Sequence, residues 1–133
     1  MEKFSIELAV RDYELDVQSI VNNSVYQNYL EHARHEFLHH HGIDFVEFAQ
    51  NNILLVVKNI EMNFKNSLVS RDKFKIEVAA EKEGNLKVVF HQNIIRIADK
   101  NIFLIYFDFN LFYCFNITVS GPFATSPLGS LII

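Results

Sequence analysis

Near the start of the chain, Phe4, Ile6, Leu8 and Val10 alternate with small or polar neighbours, so residues 3–13 read as one strand. From residue 24 the period changes. Val25, Tyr29, Ala33 and Phe37 recur every four positions with Tyr26, Leu30 and Leu38 beside them, while Gln27, Glu31, Arg34 and His35 fall elsewhere. That spacing predicts an amphipathic helix over residues 24–41. Ser24 followed by Gln27 has the form of a capping box, and Gly42 fits the stop. Residues 44–50, DFVEFAQ, predict a short second helical turn.

Beyond residue 52 the pattern is of strands, rich in Val, Ile and Phe: Ile53 to Lys65, Lys73 to Glu83 and Leu86 to Ala98. Gly84-Asn85 between the last two is a two-residue hairpin signal. Ile76, Val78 and Ala80 alternate with charged residues, and Val88, Phe90 and Ile94 do so less strictly. One long helix followed by antiparallel strands implies an α+β domain with its sheet wrapped against the helix. The tail differs. No charged residue follows Asp108, and the apolar run from Ile102 to Val119 is interrupted by Asp108, Asn110 and Asn116. Its aromatic and β-branched content fits a buried strand inside the sheet better than a membrane helix.

Composition narrows the classes of function. At 133 residues one domain, residues 1–133, is the simplest organisation. A net charge of −4 supplies no basic patch for nucleic acid. The single Cys114 excludes an intrachain disulfide and a cysteine-based zinc site. MEKFSIELAV is charged early and apolar too briefly for a signal peptide, so the expected location is cytoplasmic.

The chemistry concentrates between Arg11 and Leu38. Asp16 is expected at the end of a strand, followed by a short polar loop and then the helix start. A carboxylate beside a helix N-terminus is suited to acyl transfer: the acid serves as base or nucleophile, and free backbone N–H groups receive an oxyanion. Read in isolation, Asp16 could equally cap a turn, and Asn22, Asn23 and Ser24 are ordinary turn or cap residues. No GxSxG nucleophile elbow occurs.

The segments Arg11-Asp12-Tyr13-Glu14-Leu15-Asp16, Ile20-Val21-Asn22-Asn23, Tyr26, Tyr29 and Arg34-His35-Glu36-Phe37-Leu38 resemble the hotdog-fold thioesterases of the 4-hydroxybenzoyl-CoA thioesterase and YbgC type, most of all their acyl-ACP thioesterase branch. The resemblance runs from about residue 5 to about residue 100. It implies a hotdog fold, a long central helix wrapped by a five-stranded antiparallel sheet, in a homodimer or homotetramer whose active sites lie across subunit interfaces. It implies hydrolysis of acyl-CoA or acyl-ACP, with Asp16 as the catalytic carboxylate and the backbone N–H of Asn23 polarising the carbonyl. No metal or redox cofactor is required. Asn22, Ser24, Tyr26 and Arg71 are the expected substrate contacts: Tyr26 belongs first to the core and then to an acyl tunnel. Arg71, with Lys65, Lys73 and Lys75, suits phosphates of CoA or a phosphopantetheine arm, or else forms an ordinary strand edge.

Two departures stand out. Ser19 occupies a position where the family commonly has Gly, and residues 101–133 are atypical of its final strand. A frame change near residue 101 and natural divergence both account for the latter. His32, His35 and His39, with Glu31 and Glu36, have i, i+4 spacings that can bind metal, yet no HExxH occurs and a solvated helix face explains them as well. A non-catalytic hotdog domain that binds acyl chains or a partner is the competing reading of the whole chain.

Overall fold

The computed structural model describes residues 3–51, 53–84 and 87–115. Its strands are β1 (Phe4–Ala9), β2 (Ile53–Phe64), β3 (Lys73–Glu83), β4 (Lys87–Arg96) and β5 (Ile102–Phe115), and its helices are α1 (Asn23–His40) and α2 (Phe45–Gln50). The strands pair antiparallel throughout, in the order β1-β3-β4-β5-β2. This is an α+β architecture.

Alternation explains which face of β3 is covered. Phe74, Ile76 and Val78 are buried while Lys73, Ala79 and Glu81 are exposed. The apolar stripe of α1, made of Tyr26, Tyr29, Leu30, Ala33, Phe37 and Leu38, closes over that face. Ring pairs fix the seam: Tyr29 lies 4.8 Å from Phe74, and Phe37 lies 5.6 Å from Phe4 and 5.9 Å from Phe90. Leu30 and Ala33 are wholly buried, as expected of a core-facing helix. Two polar side chains share this interior. Arg34 donates to the Gln92 side-chain oxygen at 2.8 Å, and the Gln92 amide donates to the Leu30 carbonyl at 3.0 Å. Burial brings the Arg34 guanidinium down to about 10, partly countered by Glu31.

Several boundaries differ from the sequence expectation. The first strand ends at Ala9 instead of residue 13, and a 3-10 turn occupies Asp12–Glu14. The cause is local: the Arg11 N–H is taken by the Glu14 carboxylate at 2.8 Å, which removes it from any ladder. The helix starts at Asn23, and its cap is Asn22, not Ser24. The Asn22 side-chain oxygen accepts from the Ser24 N–H at 3.1 Å and the Ser24 hydroxyl at 3.0 Å, so Ser24 is the capped residue. Gly42 does end the helix, with φ +73°, and α2 forms where the short turn was expected.

β5 lies between β4 and β2, a position inside the sheet. Residues 116–133 lie outside the described residues. So do Asn85 and Leu86; the flanking Glu83 pairs with Lys87, and Gly84 has φ +68°. Among the described residues, no helix is long and apolar enough to cross a membrane.

Candidate active site

Between the 3-10 turn and α1 the chain makes a tight reversal that carries Asp16. Leu15 bridges Val21, the Asp16 N–H donates to the Ile20 carbonyl at 2.8 Å, and the Ser19 N–H donates to the Asp16 carbonyl at 3.0 Å. Asp16 therefore sits at the start of a turn, not at the end of a strand. Its side chain is pinned from within the turn: Oδ1 accepts from the Gln18 N–H at 2.7 Å and, more distantly, from the Ile20 N–H at 3.4 Å. Both contacts fall on Oδ1, and among the described residues none falls on Oδ2. Ser19 closes the turn with φ +61°. Only glycine adopts that region without steric cost, which gives a physical reason for the small residue expected at this position.

The helix start follows at once. The Asn22 N–H donates to the Glu14 carbonyl at 3.0 Å, the Ser24 N–H to the Asn22 side chain, and the Val25 N–H to the Asn22 carbonyl at 2.9 Å. Between these committed groups, helical geometry leaves the Asn23 N–H with no intrahelical acceptor. It stands at the positive end of α1, where negative charge is favoured.

A second segment comes to the site from far along the chain. The Leu68 N–H donates to the Tyr26 hydroxyl at 2.9 Å, the Val21 N–H donates to the Leu68 carbonyl at 2.9 Å, and Ile20 bridges Val69. These bonds hold the loop after β2 against the helix start. The result is an open cleft of about 310 Å3 lined by Asp16, Ile20, Val21, Asn22, Asn23, Tyr26, Phe64, Asn66 and Ser67. Tyr26 forms its inner wall, 3% exposed, with the Phe64 ring edge-on at 5.5 Å. Burial pushes the Tyr26 phenol upward despite the Leu68 N–H, so it stays protonated.

Thus Asp16, Asn22, Asn23 and Tyr26 come together. Ser24 lies one residue beyond the lining, hydrogen-bonded to the cap. Arg71 is not brought to the cleft: it is exposed, at φ +64°, and its N–H donates to the Val10 carbonyl at 3.2 Å. Sequence reasoning missed Phe64, Asn66 and Ser67. Their one signal is the polar break Lys65-Asn66-Ser67 between two apolar runs. Among the described residues, no group of three or more His, Cys, Asp or Glu side chains is placed to hold a metal ion, and the i, i+4 histidines of α1 form no such cluster.

An antiparallel sheet with a helix laid over it carries a carboxylate turn that leads into an open helix N-terminus. Residues 10–120 match the family model of the thioesterase-like superfamily. The chain belongs to that superfamily. It is 37% identical over 99 residues to the chloroplastic acyl-acyl carrier protein thioesterase ATL3 of Arabidopsis thaliana, covering 74% of this chain and 52% of that protein. It is 37% identical over 70 residues to the long-chain acyl-CoA thioesterase FadM of Escherichia coli, covering 53% of this chain and 52% of that one. The chain spans about half the length of both relatives. In fold it is similar to a hypothetical protein from Aquifex aeolicus, with TM-score 0.76 and 24% identity over 85% of this chain and 87% of the other. A 1,4-dihydroxy-2-naphthoyl-CoA thioesterase from Synechocystis superposes with TM-score 0.78 at 10% identity, over 84% and 82% of the two chains. The hotdog fold expected from the sequence is the fold of these neighbours.

Proposed function

We propose that this protein hydrolyses acyl thioesters of coenzyme A or acyl carrier protein to a carboxylic acid and a free thiol. The observation that carries the reading is the pairing of Asp16 with the uncommitted N–H of Asn23 in one cleft. Asp16, held through Oδ1, uses Oδ2 either to take a proton from an attacking water or to attack the carbonyl carbon itself. The carbonyl oxygen, gaining negative charge, is received by the Asn23 N–H and the positive end of α1. Collapse breaks the carbon–sulfur bond and expels a thiolate, a good leaving group that needs no strong acid. If Asp16 attacks, a mixed anhydride forms and a water then cleaves it.

The remaining assignments follow the same geometry. Asn22 and Ser24 shape the helix start that meets the thioester, and Tyr26 with Phe64 borders the acyl group. Arg71, exposed on the loop that carries Asn66 and Ser67, serves the phosphate-bearing arm. The whole chain is one hotdog domain, its central helix wrapped by five strands, acting as a homodimer or homotetramer in the cytoplasm and without a cofactor. Support comes from the superfamily match over residues 10–120 and from the thioesterases to which the chain is similar.

The test is thiol release from acyl-CoAs of short, long and aromatic acyl groups, by wild type and Asp16→Asn side by side. Turnover should fall by about 10²- to 10⁴-fold in the variant, the usual contribution of a positioned base. Equal turnover in both proteins would remove Asp16 from the mechanism.

A further inference from the structure

Glu14 precedes Asp16 by two positions but, unlike it, is buried, with 8% of its surface exposed. Its Oε2 collects two donors: the Arg11 N–H at 2.8 Å and the hydroxyl of Tyr29, in the second turn of α1. The Arg11 guanidinium lies 3.9 Å from Oε1. The backbone of the same residue makes a third tie, its carbonyl accepting the Asn22 N–H at 3.0 Å. Glu14 thus reaches the body of the helix with its side chain and the cap of the helix with its main chain. Tyr29 remains a donor at neutral pH, because burial and the Glu14 carboxylate both push its phenol upward. Glu14 itself does not line the cleft.

Asp16 belongs to a turn that joins the cap of α1 on one side through Ile20, Val21 and Asn22, and reaches the body of α1 on the other side through Glu14. Leu15 is the only residue between Glu14 and Asp16, so the position of Glu14 sets that of the turn. We propose that Glu14 is a positioning residue: clamped by Tyr29 and the Arg11 N–H, it sets the approach of Asp16 to the Asn23 N–H without touching the substrate. This rests on the thioesterase reading above. A displacement of about 1 Å at a reacting group costs on the order of a hundredfold in rate, so the clamp is visible in kcat.

The experiment measures kcat, KM and the pH profile for wild type, Asp16→Asn, Glu14→Ala, Glu14→Gln and Tyr29→Phe, with lauroyl-CoA and benzoyl-CoA as probes. In Glu14→Ala and Tyr29→Phe, kcat should fall about ten- to a hundredfold while KM stays within about twofold. The Glu14→Gln amide oxygen can accept the same two donors, so kcat should recover to within about threefold of wild type with an unchanged pH profile. Tyr29→Phe removes a single hydroxyl and carries the test if Glu14→Ala does not fold. Wild-type kcat in Tyr29→Phe and Glu14→Ala beside an inactive Asp16→Asn overturns the positioning role and leaves the thioesterase reading standing. Glu14→Gln as slow as Glu14→Ala, with its acid limb displaced, overturns the role by making Glu14 the reacting base. Full activity in Asp16→Asn removes the reading on which the proposal rests.

Discussion

At its N-terminal end, α1 opens onto the cleft of about 310 Å3 beside Asp16; at its C-terminal end it borders a wider one of about 560 Å3, lined by His35, Glu36, His39 and Ile43 among others. The wider cleft has more ionisable side chains, yet its helix end is closed. The His41 N–H donates to the Phe37 and Leu38 carbonyls, Gly42 to His39 and Ile43 to Leu38. The His41 ring adds a contact to the Phe37 carbonyl at 2.8 Å. These bonds occupy the Phe37, Leu38 and His39 carbonyls of the last turn. At the other end the capping bonds stop one group short, at Asn23. The two ends therefore differ in which backbone group is left without an intrahelical partner beside a carboxylate, and not in volume alone.

That contrast can be broken in graded ways. The largest effect falls on Asp16→Asn, as set out above. Next come the two caps. Asn22→Ala should cost about 1 kcal/mol of stability, and it should also slow thiol release, because the cap sets where the Asn23 N–H sits. Gly42→Ala should cost about 1 kcal/mol through its left-handed backbone alone, since a Cβ there meets nothing within 4 Å. Its kcat should match wild type. Urea unfolding and thiol release on both variants check the pair; a rate loss in Gly42→Ala equal to that in Asn22→Ala would dissolve the distinction between the two ends. The smallest effect is at Ser19. Ser19→Gly should raise stability by about 0.5 kcal/mol by relieving its positive φ; a fall in the unfolding midpoint would mean the Ser19 side chain holds the turn.

How much of this could be read from the sequence differs between the same regions. The helix, its apolar stripe and its stop at Gly42 were legible, because a period of four and a terminal glycine are local signals. Asp16, Asn22, Asn23 and Tyr26 were singled out together by the family resemblance, since the residues alone read equally as turn and cap, and the structure places them in one cleft. Phe64, Asn66 and Ser67 were not, since they reach the cleft through the tie from Leu68 to Tyr26, a long-range bond that no window of sequence contains. Glu14 was hidden for another reason. It directly follows residues 3–13, read as strand, and its carboxylate takes the Arg11 N–H in a 3-10 turn that the alternation does not signal. Arg71 was picked out by charge, and it stands exposed outside the lining of the cleft.

The central claim, that the backbone of Asn23 receives the oxyanion, is tested most directly by comparing Asn23→Ala with Asn23→Pro. Alanine keeps the N–H and deletes the side chain; proline deletes the N–H. Asn23 is the first residue of α1, where proline is well tolerated, and Asn22 at φ −59° and ψ 137° already has the backbone that a following proline requires. Asn23→Ala should stay within about threefold of wild type in kcat, and Asn23→Pro should fall by about 10²- to 10³-fold with its helical circular dichroism unchanged. Equal rates in the two variants would contradict it.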